Sequence, residues 1–196
     1  DSLLKRPVEQ TSNGALQLLQ QQLQSTGIDT SQWGAGQAKT LANLQKEIED
    51  GETVLVTNEK GQLLRKVVVG GSNIYYIHPD GRKYRLKEEK QVFTDGRERR
   101  RDLGQSVLEK MKSDENPENA MMRGILEELG IEGQITLIET GTEEQLFMSP
   151  SYPGLQSQSI RHKFEATLND KQFNPDGYIE QQAGKSTYFV WEEVKS

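Results

Sequence analysis

The residues best suited to chemistry are charged side chains in the segment 115–131. Glu127 and Glu128 follow Arg123 at a spacing that places all three on one side of an α-helix. Gly124 lies on the same side. An acidic residue at 124 would complete a cluster of carboxylates at positions i, i+3 and i+4, and hard cations such as Mg²⁺ bind such oxygen ligands. The spacing therefore predicts metal chemistry on this helix face, with one carboxylate missing.

The same segment contains residues that begin and end a helix. Asn116 suits the N-cap, Pro117 suits the first helical position and Gly130 suits the C-terminal end. Gly124 is unexpected in the middle, where glycine costs about 1 kcal/mol relative to alanine. The apolar residues predict a buried face opposite the charged one. That face is formed by Met122, Ile125, Leu126 and Leu129.

The segment resembles the Nudix box, G-x5-E-x7-R-E-U-x-E-E-x-G-U, in which U is an aliphatic residue. The box aligns without a gap over residues 109–131. Glu109 stands where the family has its first glycine, and Gly124 stands where it has the glutamate after the arginine. The other seven of the nine specified positions are kept: Glu115, Arg123, Ile125, Glu127, Glu128, Gly130 and Ile131.

The resemblance implies hydrolysis of a nucleoside diphosphate linked to another group, with Mg²⁺ or Mn²⁺ as the cofactor. By resemblance, Glu127, Glu128 and Glu115 are the metal-binding and catalytic residues. Arg123 matches the arginine that holds the box glutamates by ion pairing, and Gly130 is a structural position of the box.

Gly124 stands at the position of a principal metal ligand of the family. Its loss predicts a metal site that is weakened or absent, unless a water or another acid completes the shell. Asp114, Glu118 and Glu109 are the candidate acids, and the sequence leaves the choice between them open.

A second resemblance lies downstream of the box. Residues 147–168 look like the segment that lies beside the substrate in ADP-ribose pyrophosphatases of the same superfamily. By this resemblance Tyr152, Pro153 and Gly154 are substrate-binding residues, with the Tyr152 ring as a stacking surface. Residues 187–194 resemble the late Nudix strand with its tryptophan.

Three arginines immediately precede the box. If residues 96–101 form a strand, Arg97, Arg99 and Arg101 share one face. They could bind phosphate bidentately, which makes them candidate substrate-binding residues, or they could form a solvated edge whose charges prevent aggregation. The two interpretations have equal support.

The remaining pattern predicts helices first and strands afterwards. Amphipathic helices are expected over 15–24 and 36–52. Turn residues at 58–61 and 78–82 predict two hairpins of a β-meander. The strands expected from alternation are 53–57, 62–69, 73–77, 83–86, 134–140, 144–149, 159–168 and 187–194.

The predicted fold is α+β: a Nudix-like α/β/α sandwich with a mixed sheet, preceded by N-terminal helices and a β-meander. We expect a helical N-terminal extension at 1–50 and a Nudix-like domain at 51–196, which contains the box region 109–131. The N-terminal helices are predicted to serve in packing or dimerisation.

Composition narrows the function classes. With 24 Lys and Arg against 30 Asp and Glu, the net charge of −6 disfavours generic nucleic-acid binding. The absence of cysteine excludes disulfides, thiolate metal sites and a cysteine nucleophile. Two histidines, His78 and His162, have no spacing that indicates a metal site or a Ser-His-Asp triad.

The expected partner is a small nucleotide or diphosphate ligand; neither nucleic acid nor a membrane is expected, and a homodimer is possible. No apolar stretch approaches the roughly 20 residues that span a bilayer, which predicts a soluble, cytoplasmic protein. An organelle lumen or stroma is the alternative if a targeting peptide has been removed. Besides the hydrolase, the sequence leaves open a non-catalytic Nudix-like module that binds a nucleotide or a protein, and a structural homodimer.

Overall fold

The computed structural model describes residues 8–112 and 114–195. They form the helices α1 (Val8–Ser25), α2 (Leu41–Glu49) and α3 (Pro117–Leu129), so the predicted α+β class is confirmed. None of these helices is both long and apolar enough to cross a membrane. The strands are β1 (Val54–Thr57), β2 (Leu63–Ile77), β3 (Lys83–Phe93), β4 (Glu98–Arg99), β5 (Val107–Met111), β6 (Thr136–Met148), β7 (Gln156–Leu168), β8 (Tyr178–Gln182) and β9 (Lys185–Glu193).

The chain divides into two compact units. The first contains the described residues up to Val68, together with short stretches around 112–114 and 144–160. The second contains 69–111, 115–143 and the described residues from 161 onward. The box helix α3 belongs to the second unit. The boundary predicted at residue 50 remains a prediction.

The first unit is built from α1, α2 and the hairpin β1–β2. Thr40 caps α2: its hydroxyl accepts from the Asn43 amide N–H, and the Asn43 side chain accepts from the Thr40 N–H. Asn58 closes the predicted first hairpin by accepting from the backbone N–H groups of residues 60 and 62. The buried core of this unit consists of Leu19, Leu23, Leu44, Leu63, Tyr152 and Leu155.

The second unit has a sheet in which β3 pairs antiparallel with β2, β4 and β9, while β8 pairs with β9. The second predicted hairpin, at 78–82, is confirmed: the His78 N–H donates to the Arg82 carbonyl at 2.8 Å. The strands β5 and β8 were not predicted, and β4 lies within residues 96–101, for which a strand was considered.

One strand, β2, replaces the two strands predicted at 62–69 and 73–77. Gly70 and Gly71 lie in its middle and do not form a turn. A Cβ on Gly70 would collide with Met111 and Met121, and a Cβ on Gly71 would collide with Gln105. The glycines therefore allow close packing over a continuous strand. The strands predicted at 134–140 and 144–149 likewise form one strand, β6.

The predicted buried face of α3 is partly wrong. Met121 is fully buried, whereas Met122 and Leu126 are only half-buried. Gly124, predicted on the open side, is buried, and so is Ala120. The reason is that α3 packs against both β5 and β8, which covers the side that the sequence pattern left open.

Candidate functional site

The helix α3, which carries most of the box residues, begins and ends at the predicted cap residues. The Asn116 side chain accepts from the Asn119 N–H at 3.1 Å, and Pro117 follows at the first helical position. Gly130 ends the helix with φ of +62° and donates its N–H to the Leu126 carbonyl at 2.9 Å. This left-handed conformation favours glycine.

Arg123 lies between two acidic side chains. Its Nη2 donates to Glu109 Oε1 and to Glu115 Oε2, each at 3.3 Å, and its Nη1 also forms an ion pair with Glu115. The structure therefore brings Arg123 to Glu115, as the resemblance implies, and adds Glu109 to the same guanidinium.

Glu109 packs directly on Gly124. A Cβ built on Gly124 would lie 3.1 Å from Glu109 Oε2 and 3.2 Å from its Cβ and Cγ. The Glu109 side chain thus fills the space into which a glutamate at 124 would project. The two departures from the box pattern, a glutamate at 109 and a glycine at 124, therefore lie side by side. The side chain gained at 109 occupies the space left by the side chain that is absent at 124.

Glu128 lies in a strongly negative environment. Burial, followed by the charges of Glu180, Glu109 and Glu88, raises the pKa of Glu128 to about 8, while Arg101 acts in the opposite direction. Burial also raises the pKa of Glu109, against the effect of its partner at 123. The negative charge of the carboxylates in this region is therefore larger than the positive charge of the arginines that lie beside them.

A cavity of about 160 Å³ in the second unit collects these groups. Its lining includes Glu88, Glu128, Glu180, Arg101 and Lys185. Arg101 donates bidentately to Glu88, from Nε at 2.7 Å and from Nη2 at 2.9 Å. Burial raises the pKa of Glu180, and Lys185 partly offsets this effect. The cavity is lined by both signs of charge.

The sequence did not single out Glu88, Glu180 or Lys185. They lie on β3, β8 and β9, and β8 was not predicted at all. Only the packing of α3 against β8 relates Glu180 to a helix about fifty residues earlier in the chain. No spacing pattern could have found these residues.

The three predicted metal-binding glutamates differ in exposure and in their neighbours. Glu127 is exposed, Glu128 is half-buried beside the cavity, and Glu115 is held at Arg123. Within residues 8–112 and 114–195, no three acidic, histidine or cysteine side chains are arranged to hold a metal ion. Glu109 places a carboxylate next to Gly124, and carboxylate oxygens are the kind of ligand that hard divalent cations bind.

The three predicted phosphate-binding arginines do not act as one face. Arg97 pairs with Asp95 at 2.7 Å, and Arg99 donates to the Gln91 side chain at 3.0 Å. Of the three arginines, Arg101 alone lines the cavity that contains Glu128. The structure therefore retains one of the three as a candidate near the box.

Tyr152 is a core residue and not an open stacking surface, so the predicted role of its ring is wrong. The side chain is fully buried, and its hydroxyl donates to Glu47 at 2.9 Å. Trp33 packs on the ring at 5.1 Å and donates its Nε1 to the Pro153 carbonyl at 2.8 Å. Gly154 follows with φ of +84° in the turn. The downstream segment thus completes the core of the first unit.

Comparisons with known proteins give matches among solved structures. No family model matches the chain, and no curated protein gives a significant match. Solved structures that resemble it include an Ap4A hydrolase of C. elegans, at 17% identity and a TM-score of 0.36 over 65% of this chain and 80% of that one. Another is the Nudix domain of Shewanella oneidensis NrtR in complex with ADP ribose, at 11% identity and 0.39 over 65% and 73%.

A third is the Nudix hydrolase RenU of M. smegmatis, at 14% identity and a TM-score of 0.33, covering 71% of this chain and 79% of that one. The TM-scores of all three structures lie below 0.5.

Proposed function

We propose that this protein is a divalent-metal-dependent hydrolase of nucleoside-diphosphate-linked substrates, in which Glu109 supplies the carboxylate that Gly124 lacks. The packing of Glu109 on Gly124 is the observation that carries the proposal. A box that had merely decayed would have no reason to combine the loss of one acid with the gain of another at the same place.

The charges around α3 support the same interpretation. Arg123 contacts Glu109 and Glu115 together, so it orients both carboxylates. The negative charge of Glu109 contributes to raising the pKa of Glu128, so these two carboxyl groups are close enough to interact. Uncompensated carboxylates are costly in a folded protein, and a bound cation is the usual partner that removes this cost.

Each residue has a specific task in this proposal. Glu109, Glu115, Glu127 and Glu128 would hold Mg²⁺ or Mn²⁺. When bound, such an ion polarises a phosphoryl group and lowers the pKa of water. Arg123 fixes the side chains of Glu109 and Glu115.

In this proposal Arg101 would bind the anionic ligand and not the metal ion. It lines the cavity beside Glu128 and carries a guanidinium that suits phosphate oxygens. Its bidentate pair with Glu88 holds the guanidinium in place before any ligand arrives.

The proposal is tested by turnover of ADP-ribose, a dinucleoside polyphosphate and a nucleoside triphosphate in Mg²⁺ or Mn²⁺. We expect hydrolysis of at least one substrate by the unmodified protein. Glu128→Gln and Glu109→Gln should each reduce kcat by about 100-fold or more, because each removes a charged ligand and keeps the shape of the side chain.

The exchange itself is tested by a double variant. Gly124→Glu alone should reduce activity, because the new side chain collides with Glu109. Combining it with Glu109→Gly restores the family arrangement, and activity should return towards that of the unmodified protein. An unmodified protein that turns over no substrate and gains activity from Gly124→Glu would contradict the proposal.

A further inference from the structure

The strand β6 forms a long, open edge of the sheet. It stands at one end of the strand order, and among the described residues it pairs with β7 alone. Its 13 residues are all exposed except Leu137 and Phe147, which are half-buried. Such an edge offers a row of unpaired backbone N–H and C=O groups to another strand.

The devices that normally protect an edge strand are weak in β6. It contains no proline and no lysine. Its three glutamates could repel a second strand, but each is engaged by a side chain of β7. The pairs are Glu139 with His162 at 2.9 Å, Glu143 with Lys163 at 3.3 Å, and Glu144 with Gln158 at 2.6 Å.

Both ends of β6 expose large apolar side chains. Ile138 is 60% exposed near one end, and Leu146 and Met148 are 54% and 56% exposed near the other. Side chains alternate along a strand, so these three even-numbered residues share one face. Exposed apolar groups on a free edge are typical of an interaction surface.

The order of residues in β6 is complementary to itself. If two copies of β6 pair antiparallel with Thr142 opposite Thr142, Ile138 lies opposite Leu146 of the second copy. Glutamate then never faces glutamate. The remaining opposed pairs are Thr136 with Met148, Leu137 with Phe147, Glu139 with Gln145, Thr140 with Glu144, and Gly141 with Glu143.

Neighbouring registers lack this property. Moving the twofold centre to Gly141 places Glu139 opposite Glu143, and moving it to Glu143 places that residue opposite itself. Like charges directly opposite each other destabilise a sheet. Among these three registers, the charge pattern therefore favours the one centred on Thr142.

We infer that β6 is the interface of a homodimer, in which two copies pair antiparallel about a twofold axis at Thr142. Thirteen residues at about 3.3 Å each give a contact roughly 43 Å long, well above the length of an average strand. The backbone bonds supply affinity, and the apolar pairs at both ends fix the register.

The inference is tested by sedimentation analysis of the full chain between ~1 μM and ~300 μM, where interfaces of modest area dissociate. As the concentration rises, the unmodified protein should associate into a dimer with twice the 22.2 kDa mass of one chain. Ile138→Lys and Leu146→Glu should each shift the dissociation constant upward at least tenfold, because a charge then faces an apolar side chain.

The double variant Ile138→Lys, Leu146→Glu is the decisive control. In the proposed register, and not in the neighbouring ones, the lysine of each copy lies opposite the glutamate of the other copy. It should recover most of the dimer, whereas Leu18→Lys, at a position 68% exposed on α1, should change nothing. A monomeric unmodified protein, or a dimer that none of the β6 variants affects, would overturn the inference.

Discussion

At the scale of single residues, the most informative position is the one that lacks a side chain. Gly124 lies in the middle of a helix and removes a carboxylate from the box, yet Glu109 occupies the adjacent space. A side chain at 124 would therefore require Glu109 to give way by a few tenths of an ångström or more. The two positions should be treated as one unit, because a change at either alters the environment of the other.

A double-mutant cycle measures this coupling. Gly124→Ala gains up to about 1 kcal/mol of helix propensity but forces Glu109 to move. In a Glu109→Gly background none of the close atoms of residue 109 remains, so the same substitution should stabilise the protein by about 1 kcal/mol. Urea denaturation of the four variants gives the interaction energy; a value near zero would contradict direct packing.

The ionisation of Glu128 predicts an unusual pH dependence in metal-free protein. Its folded pKa of about 8 exceeds the ordinary value of 4.5. Between these two values the unfolded chain loses the proton that the folded protein keeps, so stability falls as the pH rises. Glu128→Gln should remove this slope and stabilise the protein at pH 8 by about 2 kcal/mol.

Chemical denaturation at pH 5 and pH 8 in a chelator checks this expectation. Glu127→Gln is the matched control, because Glu127 is exposed on the same helix. Equal slopes in the unmodified protein and in Glu128→Gln would show that this carboxyl is not responsible.

At the scale of elements, the first unit is organised around one buried carboxylate. Glu47 accepts from Arg65 at 2.9 Å, from Tyr152 at 2.9 Å and from Thr53 at 3.1 Å, and it pairs with Lys39 at 2.6 Å. Burial, reinforced by the hydrogen bond to Glu47, raises the pKa of Tyr152. These contacts connect α2 with the residue that precedes β1, with β2 and with the turn before β7.

Glu47→Ala should therefore destabilise the protein by about 3 kcal/mol, since it leaves the buried Arg65 charge without its carboxylate. Lys39→Met removes a half-exposed partner of the same glutamate and should cost less than about 1 kcal/mol. Thermal and urea unfolding of both variants test the contrast. Similar losses would mean that burial of Arg65 does not dominate the energetics.

The sequence predicted well those elements whose local pattern agrees with their surroundings. The caps of α3 and the turns at 58–61 and 78–82 were predictable because short polar side chains close them locally. The strand β8 was missed, and with it Glu180. Tyr152 was misplaced because exposure of an aromatic ring depends on distant packing, here by Trp33 and Glu47. Tertiary contacts of this kind produce no periodic pattern in the sequence.

At the scale of the whole molecule, the excess of acidic residues and the crowded carboxylates near α3 predict that divalent cations stabilise the fold. A ligand that binds only the folded state raises stability by RT ln(1 + [L]/Kd), about 2.7 kcal/mol at a hundredfold excess over Kd. The net charge of −6 also attracts any cation non-specifically, so the control must separate the site from the surface.

We therefore expect Mn²⁺ to raise the melting temperature of the unmodified protein by several degrees, and Glu128→Gln and Glu109→Gln to abolish most of the increase. Glu165→Gln, an exposed position on β7, keeps the same net charge as these variants and should respond like the unmodified protein. Equal increases in all four proteins would assign the effect to general screening. Because the measurement needs no substrate, it tests the carboxylates of the site independently of turnover, and loss of the shift in Glu109→Gln identifies Glu109 as the residue that replaces the missing ligand.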